Sequence, residues 1–183
     1  MGGGIALVAS CGGAQPPPTR GVIESDVGAW TFRRYQSMLD VEVWVRDNSA
    51  VAHTASYANV EAEKRGRLQE DDVVNAFVTR YQSDVGVERA LVQFARRLAS
   101  ESSYRVSERE VGGVRLIEIR GVGEVWAIWP ARAHVVKIGG PGRESIPEAL
   151  IDAYAERYPS QLHAGALDAP LPPPDAAARE GAK

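Results

Sequence analysis

Polar and apolar positions alternate most regularly over Leu39-Asp-Val-Glu-Val-Trp-Val45. Leu39, Val41, Val43 and Val45 fall on one side and Asp40, Glu42 and Trp44 on the other, the period-two pattern of a half-buried strand. The aromatic stretch before it, residues 29–35, is β-prone and is expected to pair with it. Residues 56–65 alternate more weakly, through Ala58, Val60 and Ala62. Between Asp71 and Gln82, Val74, Phe77, Val78 and Tyr81 fit a helical stripe. With Val73 and Thr79 the same residues fit a strand buried on both faces, and their β-branched and aromatic character favours the strand.

A different period governs residues 87–100. Val87, Ala90, Leu91, Phe94, Ala95, Leu98 and Ala99 recur at helical spacing, with Glu88, Arg89, Gln93, Arg96 and Arg97 opposite. This predicts an amphipathic helix with Leu91 and Phe94 central in its buried stripe and Arg96 on its solvated side. Asp84 is placed to cap it, and Glu88 suits the positive end of its dipole. Extended runs at 104–111 and 114–120 flank Gly112-Gly113, a hairpin with a primed turn. A second hairpin joins 124–129 to 133–138, turning at Pro130-Ala131-Arg132, with Trp126 and Trp129 on opposite faces. Ser145-Ile-Pro-Glu148 reads as a capping box, followed by Leu150, Ile151, Tyr154 and Tyr158 on one helical side and a stop at Pro159. Strands interrupted by single helices predict an α+β fold. Its sheet is mainly antiparallel, with the two amphipathic helices packed on one face.

Residues 21–162 make up one domain in this reading. Residues 1–20 form a Gly- and Pro-rich lead-in and residues 163–183 a disordered Pro/Ala-rich tail. The chain has 183 residues, with 21 basic against 24 acidic residues and a formal net charge of −3. That excludes a strong, whole-surface attraction to nucleic acid. One cysteine and three histidines offer no disulfide and no cysteine-based zinc site, and no cofactor is expected.

The single cysteine carries the clearest motif. Val8-Ala9-Ser10-Cys11 follows a short apolar stretch and precedes Pro16-Pro-Pro18. It resembles a bacterial lipobox: an aliphatic residue, two small residues, then cysteine. No Lys or Arg precedes the apolar run, which is also shorter than the usual ~7–15 residues, so the resemblance implies a truncated signal peptide. It further implies a diacylglycerol on the Cys11 thiol, cleavage before it, and a membrane partner reached through that lipid. Residues 12–20 would then be a semi-rigid spacer. Gly12 in place of Asp points to an outer-membrane or periplasmic-side address in a diderm cell envelope.

Candidate chemistry is sparse. Lys137-Ile-Gly-Gly-Pro-Gly-Arg-Glu-Ser145 is glycine-rich but lacks the Gly-Lys-Ser/Thr of a phosphate loop, and a tight turn before a capped helix accounts for it. His53, His134 and His163 have no ligand spacing, and Asp71-Asp72 lacks the partners of a calcium loop. Trp44, sharing a face with Glu42 and Arg46, is the candidate exposed aromatic. An aromatic beside Arg is a common anchor of binding surfaces, so Trp44 and Arg46 are the expected ligand or partner surface. The order of elements from Val74 to Gly121 is similar to that of PsbP/Mog1-like secreted domains, a likeness of fold that carries no activity. The expected function is a lipid-anchored envelope protein that binds an envelope protein or a small ligand. The alternative is an envelope hydrolase or transferase whose site no motif marks.

Overall fold

Seven strands pair in the order β1-β2-β3-β7-β6-β5-β4, every neighbour antiparallel, in a computed structural model that describes residues 16–38 and 41–171. They are β1 (Trp30–Met38), β2 (Ala50–Asn59), β3 (Val73–Tyr81), β4 (Arg105–Val111), β5 (Val114–Gly121), β6 (Glu124–Ala131) and β7 (His134–Pro141). The helices are α1 (Val60–Lys64), α2 (Val87–Ala99) and α3 (Glu148–Arg157). The fold is therefore α+β with an antiparallel sheet. Strands β4 to β7 form a continuous meander, and β3 closes onto β7 to join it to the β1–β3 half. Gly112 and Gly113 both take positive φ, +58° and +81°, as a two-residue primed turn requires, and Val111 pairs with Val114 across it.

The sheet is buried on both faces, which corrects the placement of the helices. Leu150, Ile151 and Tyr154 of α3 pack with Tyr57, Val74, Ala76, Val78, Trp129, Val136 and Ile138. Val87, Leu91, Val92 and Ala95 of α2 pack with Tyr81, Ile117, Ile119, Ile128 and Val135, which belong to the other face. Adjacent residues on a strand point oppositely, so Val135 and Val136, or Ile128 and Trp129, feed separate cores. Runs such as Val135-Val136 are the mark of a strand covered on both sides. The two tryptophans of β6 divide as their spacing requires, Trp129 into the α3 core and Trp126 against the α2 core.

Several local expectations are revised. Residues 41–49 are not a strand, and β1 pairs with β2 instead. Leu39 and Asp40 lie outside the described residues. Asp84 does not cap α2 through its side chain; Gly86 is the N-cap, and the Asp84 carbonyl accepts from Val87 N–H. The Ser145 capping box does not form, because the proline itself, Pro147, occupies the N-cap of α3. The β6–β7 turn falls at Arg132 and Ala133, leaving Pro130 within the strand, where its carbonyl accepts from Gln161 N–H.

The buried stripe of α2 is turned toward Val92. Phe94 is only half-buried, with the Arg97 guanidinium over its ring at 5.6 Å. Arg96 is not a solvated residue: it donates to the Ala166 carbonyl at 2.8 Å and to that of Ala169. Residues 163–171, expected as the start of a tail, run beside α2 and β4. Glu108 accepts from the backbone N–H groups of Gly165 and Leu167, at 2.8 and 2.6 Å, and Leu162 and Ala166 are buried.

Candidate functional site

The alternation of residues 41–45 reports which side chains face inward, not a strand partner. The segment lies across the α2 side of the sheet. Val43 and Val45 enter the α2 core, and Trp44 between them stands 72% exposed. Three contacts fix this path. The Tyr81 hydroxyl donates to the Val43 carbonyl at 2.6 Å. Glu42 receives the Lys137 ammonium on both carboxylate oxygens, at 2.6 and 2.7 Å. Asn48 donates to the carbonyls of Ser83 and Val85 and accepts from Ser83 N–H. Between these anchors Asp47 takes φ +56°, a left-handed conformation that Asp tolerates, as Asn48 N–H closes a turn on the Val45 carbonyl.

Trp44 and Arg46 therefore project from a held segment. They line an open groove of about 790 Å³ together with Gly86, Arg89 and Gln93, from the N-cap to the middle of α2. The Arg46 side chain is 85% exposed, and the Asp47 carboxylate lies 3.7 Å from it. An exposed indole flanked by two buried valines costs little further ordering on binding, because its backbone is already fixed.

Beneath the same segment lies an apolar cavity of about 200 Å³. Val41, Val43, Phe77, Ile128 and Val135 form its walls, and Lys137 brings the one ammonium to it. The β3–β7–β6 register explains the grouping. Phe77 pairs with Lys137, and Lys137 with Ile128, so all three side chains emerge on one face. The Lys137 ammonium sits 4.0 Å from the Trp126 ring centroid and 5.6 Å from that of Phe77. The two rings meet edge to face at 5.8 Å. The lysine side chain is 14% exposed and its partner Glu42 56% exposed, so the cation belongs to the wall and the anion to the rim.

The outward position of Trp44 is as the sequence reading expects, while the cavity beneath it has no counterpart in that reading. A signal for the cavity existed. Lys137 falls in phase with Val135 on a strand that is otherwise apolar after His134, and a charge at an inward position needs a partner. The glycine-rich stretch beginning at Lys137 is mostly the end of β7 rather than a helix-capping loop, so it forms no phosphate cradle. Gly139 lies so close to β6 that a Cβ there would meet the Val125 carbonyl oxygen at 2.0 Å.

The histidines sit apart, each engaged locally. His53 Nδ1 is 2.8 Å from the Tyr35 hydroxyl, within β2 rather than a loop. His134 tilts against the Tyr158 ring at 5.0 Å, and His163 Nδ1 lies 2.7 Å from Glu88. Asp72 accepts from Arg65 and from Gln69 N–H, so Asp71-Asp72 ends a 3-10 turn at the start of β3. Among the described residues no group of three or more His, Cys, Asp or Glu is placed to hold a metal. Cys11 lies outside the described residues. No helix among the described residues is long and apolar enough to cross a membrane. No family model matches the chain, and no curated protein or solved structure does either.

Proposed function

We propose that this chain is a lipid-anchored protein of the bacterial cell envelope whose α+β domain is a non-enzymatic binding module. The anchor is read from Val8-Ala9-Ser10-Cys11 and the proline-rich stretch after it. The observation that carries the binding reading is Trp44: a large aromatic, 72% exposed, on a segment pinned at Glu42, Val43 and Asn48. Exposed aromatics accompanied by arginine are over-represented among residues that dominate binding energy. The adjoining cavity gives the same region an apolar recess with one cation, the usual composition of a small-ligand site.

Site-specific photocrosslinking in the native organism tests this. A photoreactive residue at position 44 or 46 is expected to give a discrete crosslinked species. The same residue at Val122, an exposed turn position on the meander, is expected to give none. Equal, diffuse labelling from all three positions would contradict a binding surface at Trp44.

A further inference from the structure

We propose that the cavity under residues 41–45 takes a small amphiphilic carboxylate, its apolar body between Val41, Val43, Phe77 and Ile128 and its head on the Lys137 ammonium in place of Glu42. The inference rests on the binding reading above and gives that module its ligand class.

Size sets the apolar body. A dry apolar cavity of about 150 Å³ accepts a benzene ring, so 200 Å³ suits a short acyl chain or one ring. Charge sets the head. The ammonium has donors and no acceptor, and two of its contacts are the oxygens of one carboxylate. That carboxylate comes from the rim and is more than half exposed. Exchanging it for a ligand carboxylate keeps the lysine paired, so no uncompensated charge is left in the wall. Glu42 regains its hydration as it leaves. The faces of Trp126 and Phe77 hold the ammonium in position during the exchange. A neutral ligand gains only the apolar contacts, and an amine brings a second cation against Lys137. Glu42 is a built-in competitor occupying the position of the ligand head.

The test uses the full-length chain at pH 7.5 with three six-carbon probes: hexanoate, 1-hexanol and hexylamine. Binding is read from the indole N–H resonance of Trp126, identified by its loss in Trp126→Phe. Hexanoate is expected to bind roughly tenfold tighter than hexanol, the effect of one charge-assisted hydrogen bond. Hexylamine is expected to be weakest. Glu42→Gln should raise the preference for hexanoate over hexanol severalfold. Lys137→Met should bring hexanoate down to the hexanol level. Lys137→Arg, which keeps the charge, should retain a preference for the acid. If Lys137→Met does not fold, the acid-to-alcohol ratio and the Glu42→Gln effect decide.

Equal affinity for acid and alcohol would overturn the carboxylate assignment while leaving a binding cavity. A loss of hexanoate binding in Glu42→Gln would also overturn it, because Glu42 would then be a support of the site rather than its competitor. No response to any probe would overturn the cavity as a ligand site and leave the Trp44 surface to its own crosslinking test.

Discussion

The phenol oxygens of Tyr57 and Tyr154 lie 2.8 Å apart across the buried seam between β2 and α3, joining residues 97 positions apart in the chain. Tyr57 donates to the Ile23 carbonyl at 2.5 Å, and Ile23 N–H donates to the Tyr154 hydroxyl oxygen at 3.1 Å. The Tyr57 proton being committed to Ile23, the Tyr154 hydroxyl donates to Tyr57 and the ring closes. One backbone unit before β1 thus shares a three-membered hydrogen-bond cycle with the sheet and the last helix. Burial is the main cause that pushes both phenols above their ordinary pKa, so both stay protonated as the cycle needs.

Tyr57→Phe leaves the Ile23 carbonyl and the Tyr154 hydroxyl without their partner in a buried place. The expected loss is about 1–3 kcal/mol in urea denaturation. Tyr154→Phe should cost a similar amount, and the double variant less than the sum, because both changes break one cycle. Strict additivity would show that the two hydroxyls act separately.

Arg96 gives a sharper contrast. An exposed helical arginine replaced by Ala shifts stability by no more than about 0.5 kcal/mol. Here Arg96 holds the carbonyls of Ala166 and Ala169. Arg96→Ala is expected to cost about 1–3 kcal/mol and to speed hydrogen exchange at residues 165–169. A chain ending at 162 should melt several degrees below one ending at 171, since Ala166, Leu167 and Leu171 pack on the α2 core. Equal melting temperatures would show that residues 163–171 contribute nothing.

Gly139 is fixed by the approach of β6. An added Cβ would lie 2.0 Å from the Val125 carbonyl oxygen and 2.9 Å from Trp126 Cα, both backbone atoms that move only if the strands part. Gly139→Ala is expected to destabilise by about 3 kcal/mol or more and to shift the Trp126 indole resonance. Gly113→Ala, with open space around its Cβ position, carries only the strain of φ +81° and should cost less.

Burial holds His134 below its ordinary pKa of 6.5, opposed by a backbone hydrogen bond at Ala131 and assisted by the Arg80 guanidinium. Burial and then Arg80 lower His53 in the same direction. The unfolded chain therefore binds these protons first as the pH falls. Stability is full above pH 6.5 and is lost as the pH drops from there toward the depressed native values. Urea midpoints between pH 7.5 and 5.0 should decline, and His134→Phe, which preserves packing on Tyr158, should flatten the decline. An unchanged slope in that variant would contradict the assignment.

What was legible in the sequence was local. The period of β3, the α2 helix and the Gly112-Gly113 turn each depend on neighbours within one element. Residues 41–45 misled because alternation records facing, and a segment packed on a helix and sheet alternates as a strand does. The outward position of Trp44 is legible all the same, since facing is what alternation records. Arg96 departs from the expected solvated position because its acceptors are backbone carbonyls 70 and 73 residues away, which carry no side-chain signature. The split of α2 and α3 between the two faces is not legible, because a helix stripe shows that it is buried but not against which side of a sheet. The Lys137 cavity needs the register of three strands, with Phe77, Lys137 and Ile128 brought together only when β3, β7 and β6 pair.

The proposed membrane anchor rests on Cys11. Intact-mass analysis of the native protein, purified from membranes with detergent, measures its state directly. The expected result is a mature chain that begins at Cys11 and carries a diacylglycerol on its thiol, and a Cys11→Ala chain that incorporates no fatty-acid label and leaves the membrane fraction. A chain with an unmodified Cys11, or a Cys11→Ala variant labelled as strongly as the parent, would contradict it.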